Sequence, residues 1–221
     1  MAEATAILLL WVLFGATHMG LSSQRLRPRL VTALGLRGFL GLYSLVALAL
    51  FVPLVSLYFA SKHAGPHLWY LGAYPAVRWL VYAGMGAAFV LTLGGLLTPS
   101  PASLGGGRAE VRGVLRLTRH PVFMGVGLFG LLHLVAARVN AAELAFFAGF
   151  PLFAWLGCRH QDRRKLAGGG EEFARFCAAT PFLPFSGPGR WRGLAEMPFA
   201  IALGIAAALL VRLYVHPRWL G

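Results

Sequence analysis

The stretch Gly38–Ala60, GFLGLYSLVALALFVPLVSLYFA, holds 23 consecutive residues without a single charge, between Arg37 and Lys62. At 1.5 Å per residue such a helix is roughly 34 Å long, enough to cross the ~30 Å hydrocarbon core of a bilayer. No soluble helix needs apolar side chains all the way round for that length. Five further apolar runs follow the same logic: Ala4–Leu21, Ala76–Leu97, Val122–Ala137, Ala141–Cys158 and Leu194–Val215. The expected fold is an all-α, polytopic membrane helical bundle of about six transmembrane helices, one domain over residues 1–221. The Val122–Ala137 and Ala141–Cys158 runs are short and joined by Arg138-Val139-Asn140, which predicts a tight helical hairpin.

Composition agrees. Hydrophobic residues make up 58% of the 221 residues, charged residues 12%, and mean hydropathy is +0.69. Soluble domains carry about 25% charged residues, so this chain could not coat a surface against water. The first 21 residues lack a basic leader and a clear small-x-small cleavage site. They read as a retained helix, not a removed signal. Cys158 and Cys177 fall on the side read as cytoplasmic, where thiols stay reduced, so no disulfide framework is implied.

The net charge of +13 comes almost wholly from arginine. The arginines sit between apolar runs, which points to topology signals and membrane lipid rather than nucleic acid. Arg25, Arg27, Arg29 and Arg37 fall in the first loop; Arg108, Arg112, Arg116 and Arg119 in the third. The fifth holds Arg159, Arg163, Arg164, Lys165, Arg175, Arg190 and Arg192. Only Lys62, Arg78, Arg138, Arg212 and Arg218 fall on the other side. This alternation predicts cytoplasmic basic loops and non-cytoplasmic termini. The Pro- and Gly-rich stretch 98–118, with Gly105, Gly106 and Gly107, reads as a flexible loop, and Glu171–Ala178 as a short interfacial helix. Trp11, Trp69, Trp79, Trp155, Trp191 and Trp219 read mostly as an aromatic belt.

Ionisable groups inside spans are costly, which makes them candidate sites. His18 lies near the cytoplasmic end of the first run, ~5–10 Å in, and His133 lies ~15–20 Å in on the fourth. Two buried imidazoles with no acidic companion suit a soft or borderline metal, or a haem iron, better than Mg or Ca. Structural histidines bonded to a neighbouring carbonyl, in a non-catalytic membrane subunit, are the alternative, and the difference in depth weighs against a shared iron. His120, in Arg119-His120-Pro121, stands 13 residues before His133, about 220° round a helix, so the two face apart. Pro121 suits the first position of a helix, whose free N–H groups, with Arg119 and His120, suit an anionic group. Gly125, Gly127 and Gly130 make a small-residue face on the same helix, usually a sign of close packing. His63, His67, His160 and His216 read as solvated.

The stretches Phe14–Arg25 (FGATHMGLSSQR), Leu34–Val46 (LGLRGFLGLYSLV), Arg119–His133 (RHPVFMGVGLFGLLH), Ala179–Phe185 (ATPFLPF) and the closing His216-Pro217, taken in order, resemble the NnrU family of bacterial membrane proteins. Plant and cyanobacterial 15-cis-zeta-carotene isomerases are similar to that family. The resemblance implies a haem b site whose ligands fall on His18 and His133, with an iron that acts on a polyene double bond as a redox-switched Lewis acid. It also implies a hydrophobic small-molecule substrate. In the NnrU branch the name reflects an association with nitrite and nitric oxide metabolism. The chain departs from the family at Ala137-Arg138-Val139-Asn140, where an Asn-Gly turn is usual. The Arg-His-Pro-x-x-x-Gly motif with a following acidic pair is also similar to membrane methyltransferases of the isoprenylcysteine and phospholipid type. That wider resemblance implies S-adenosylmethionine held by Arg119, His120, Gly125, Glu171 and Glu172.

Overall fold

The computed structural model describes residues 2–102, 110–168 and 170–220. The Gly105–Gly107 stretch expected to be a flexible loop lies outside them. Eight helices are described: α1 (Ala2–Leu21), α2 (Leu26–Ser61), α3 (Pro75–Leu97), α4 (Pro121–Ala136), α5 (Ala141–Gly168), α6 (Gly170–Ala179), α7 (Arg190–Ala195) and α8 (Pro198–Leu210), the last continued by a wider winding over Val211–Leu220. The fold is all-α. Five segments are long and apolar enough to cross a membrane: α1, α2, α3, α5 and Pro198–Pro217. α4, with 16 residues, is apolar but shorter.

The first loop is not a loop. Arg27 and Arg29 lie on the opening turns of α2, and the chain breaks only at Gly35, with φ 70° and ψ 166°. That left-handed conformation strains any residue with a Cβ, so glycine marks where the leading segment turns into the long span. α5 likewise runs ten residues past Cys158, carrying Arg159 to Lys165 on helix. The sixth apolar run is interrupted at 196–197, between α7 and α8. The short helix expected over Glu171–Ala178 is present as α6.

Contacts order the bundle as α2–α1–α5–α4–α3–α8. Trp11 lies against Phe150, Phe14 and His18 against Phe153, and Ser22 reaches His160, so α1 and α5 run parallel. α4 is antiparallel to both flanking helices. A Cβ on Gly130 would meet Phe147 and Phe150, one on Gly127 would meet Ala154, one on Gly125 would meet Thr92 and Ala88, and one on Gly95 would meet Pro121. The small-residue face of α4 is therefore spent on close helix packing, the usual use of such faces. Trp11 is not in a belt: it is buried and donates its Nε1–H to the Phe146 carbonyl at 3.1 Å. By contrast Leu45, Trp79 and Phe199 are well exposed on the perimeter, as lipid-facing side chains are.

The α4–α5 connection is pinned by Asn140. Its Oδ1 accepts the N–H groups of Ala142 and Glu143, while Glu143 Oε2 accepts the Asn140 N–H at 3.0 Å, a reciprocal helix start. Glu143 is buried and also accepts the His63 N–H at 2.9 Å.

Candidate functional site

Two sites emerge, one in the membrane-spanning core and one at the arginine-bearing end of the bundle.

In the core, the row Trp11, Phe14, Phe51, Phe129, Phe147, Phe150 and Phe153 is in continuous ring contact across α1, α2, α4 and α5. One histidine closes each end. His18 packs against Phe14, Phe153 and Tyr43, with ring centroids 4.7, 5.3 and 4.5 Å away. His133 stacks on Phe147 at 4.4 Å and 11°. Its Nδ1–H donates to the Phe129 carbonyl at 2.9 Å, which fixes the ring and leaves Nε2 as the lone-pair nitrogen. No hydrogen bond to Nε2 is present among the described residues. This anchoring is shared by metal-ligating histidines and by structural histidines bonded to a neighbouring carbonyl.

The donor chemistry fits haem iron at each histidine singly. The spacing does not fit one iron shared by both as packed. His133 stands at the level of Phe147 and His18 at the level of Phe153, six residues or about 9 Å apart along α5. Phe150 and Trp11 fill the ground between them. His216, read as solvated, is half-buried. Among the described residues no group of three or more His, Cys, Asp or Glu side chains is placed to hold a metal ion.

At the arginine-bearing end, the segment before α4 pairs with the Ala179–Phe185 stretch. The Arg119 N–H donates to the Pro181 carbonyl at 2.9 Å, Thr118 Oγ1 donates to the Phe182 carbonyl at 2.7 Å, and the Phe185 N–H donates to the Leu117 carbonyl at 3.0 Å. This clasp presents His120, buried at the start of α4, to Asp162 of α5, with Nε2 and Oδ1 2.8 Å apart. Arg119 donates from Nε to Asp162 Oδ2 at 2.8 Å and from Nη1 to the Thr180 carbonyl at 3.0 Å. Asp162 escaped sequence reasoning because its partners are more than 40 residues away. A signal existed: it is the only aspartate in the chain, set inside an arginine-rich run.

The residues read as a nucleotide-type cofactor site do not assemble. Arg119 and His120 are together, but Glu171 and Glu172 are exposed on α6, Glu171 pairing only with Arg175 at 3.3 Å. Gly125 faces α3, where a Cβ would come within 2.3 Å of Thr92 Oγ1. A further carboxylate, Glu196, ties the 113–116 turn to α7. It accepts the Gly113 N–H at 2.8 Å and pairs with Arg116 at 2.9 Å and Arg192 at 2.8 Å. Arg116 and the Gly113 N–H hold its carboxyl well below the usual range, at about 2.

The family model described as "NnrU protein" matches residues 6–221. Among curated relatives, the chain is 27% identical to "15-cis-zeta-carotene isomerase, chloroplastic" of Arabidopsis thaliana over 98% of its own length and 60% of that protein's. It is 26% identical to the protein of the same name from Zea mays, over 84% of its own length and 50% of that protein's. The chain thus spans between half and two thirds of the relatives it matches. No solved structure matches it.

Proposed function

The chain belongs to the NnrU family, and from that membership we propose that it is a membrane-embedded cis–trans isomerase of an extended polyene, of the kind the two relatives' names describe. The observation that carries the reading is the aromatic row with an imidazole at each end. Flat conjugated chains pack against aromatic faces, and a core of this kind excludes water from the reacting bonds. Isomerisation about a double bond needs no net proton or group transfer, which suits a row made of aromatic rings and two imidazoles.

Haem b is the proposed cofactor, which His133, through Nε2, or His18 would hold. When bound it would supply a Lewis-acidic, redox-active iron. The chain's own contribution is positional. The Phe129 carbonyl sets the tautomer and tilt of His133, Phe147 holds its ring face, and Phe14, Tyr43 and Phe153 do the same for His18. The proposed topology is six crossings, with α4 as the short one, in a bacterial inner membrane with the arginine-bearing end cytoplasmic.

The test is expression in cells that make the 15-cis form of zeta-carotene but lack an isomerase, followed by chromatography of the pigment isomers. The reading predicts conversion by the wild type and at least a tenfold loss in His133→Ala. An isomer ratio unchanged by the wild-type protein would refute it.

A further inference from the structure

At the arginine-bearing end a cleft of about 270 Å³ is lined by Arg119, Trp155, Arg159, Asp162, Arg163, Leu166 and Phe182. Four of these form one stripe on α5: Trp155, Arg159, Arg163 and Leu166 fall at i, i+4, i+8 and i+11. The charges do not balance. The single carboxylate, Asp162, has one oxygen against His120 and the other against Arg119. Arg159 and Arg163 are exposed and have no carboxylate partner among the described residues. Arg159 lies over the Trp155 ring at 5.6 Å, and the Arg119 guanidinium over the Phe182 ring at 5.1 Å. Two guanidiniums one turn apart repel each other unless something negative lies between them.

The apolar part says what kind of anion. Trp155 and Phe182 meet edge to face at 5.3 Å, and Trp155 is exposed on the stripe one turn nearer the span than Arg159, while Leu166 lies beyond Arg163 on the side away from it. The cleft therefore joins a cationic mouth, at the level of the headgroups, to an aromatic flank at Trp155 on the span side. We propose that this cleft is a binding site for the phosphate of an anionic phospholipid, with Arg159 and Arg163 as the phosphate ligands and Trp155 against the upper acyl chain. Guanidinium suits this task because its planar donors meet phosphate oxygens in pairs. The Arg119–Asp162–His120 cluster is the wall that keeps the stripe and the Phe182 loop together. The site is independent of the aromatic row and of any activity there.

Native mass spectrometry on the detergent-purified full chain tests it, using phosphatidylglycerol and phosphatidylcholine of identical acyl chains. The wild type should retain phosphatidylglycerol at least tenfold more tightly than phosphatidylcholine. Arg159→Gln/Arg163→Gln should abolish that preference. Arg159→Lys/Arg163→Lys, which keeps the charge and guards against misfolding, should retain most of it. Arg25→Gln/Arg29→Gln removes the same charge elsewhere and should leave the preference intact. Equal retention of the two lipids, or a preference that survives Arg159→Gln/Arg163→Gln, would overturn the proposal. So would competition by millimolar inorganic phosphate strong enough to displace the lipid, since the site would then recognise free phosphate and not the amphiphile.

Discussion

Asp162 and His120 meet at 2.8 Å across 42 residues of sequence, and the same carboxylate binds Arg119 at 2.8 Å. This cluster, with His120 and Asp162 buried and Arg119 partly exposed at the cleft wall, joins α4, α5 and the Ala179–Phe185 clasp. Removing Asp162 leaves the His120 and Arg119 donors without their acceptor, which costs about 1–3 kcal/mol. Asp162→Ala is expected to lower thermal stability in detergent by that amount, and Asp162→Asn, which keeps part of the hydrogen bonding, by less. Thermal unfolding followed by circular dichroism checks the order.

Helix packing in the middle of the bundle depends on particular glycines. A methyl group at Gly125 would meet Thr92 Oγ1 and the Ala88 carbonyl, and one at Gly130 would meet the Phe147 carbonyl at 2.6 Å, whereas nothing lies within 4 Å of Gly157. Gly125→Ala and Gly130→Ala should each destabilise by about 1–3 kcal/mol, the usual range for overpacking. Gly157→Ala should be neutral or slightly stabilising, and the same unfolding measurement separates the three.

Glu196 sets a pH dependence. Its carboxyl titrates at about 2 in the folded protein, against about 4.3 when unfolded. A lowered folded value means a stabilising contribution that is complete above the unfolded value and lost as pH falls towards 2. The stability difference between the wild type and Glu196→Gln should be present at pH 7 and close between about pH 4 and pH 2. Paired melting curves over that range check it.

Glu171 and Glu172 stand apart from Arg119 and His120 on the solvent face of α6. Glu171→Gln and Glu172→Gln are expected to change stability by less than about 0.5 kcal/mol, because exposed ion pairs contribute little. They should also leave pigment isomerisation unchanged in the cell assay.

Much of the fold is legible in the sequence because a bilayer imposes a crude rule: about twenty apolar residues per crossing. The runs around Gly38–Ala60 and Ala76–Leu97 obey it, and their edges move by only a few residues. Where the helix outruns the apolar stretch the rule is silent. The arginine segment before Gly35 and the ten residues after Cys158 are helical for reasons of packing and charge, not hydropathy. His18 and His133 were legible as costly groups in spans, and the structure brings both to one aromatic row, though at levels about 9 Å apart. Asp162 and Glu196 were not legible, because their partners come from distant loops and no local spacing announces them. Trp11 was misplaced in a belt because composition near a terminus resembles an interface, while its indole in fact donates into the core.

The proposed isomerase holds its polyene against the aromatic row, with His133 positioning the haem that would act on it. The most direct measurement is the isomer ratio of 15-cis-zeta-carotene incubated with the purified, haem-supplemented protein in detergent under reducing conditions, followed by chromatography. The account predicts conversion that requires the protein, falls at least tenfold in His133→Ala, and persists in Glu171→Gln. No conversion by a haem-loaded wild-type protein, or equal conversion by His133→Ala, would contradict it.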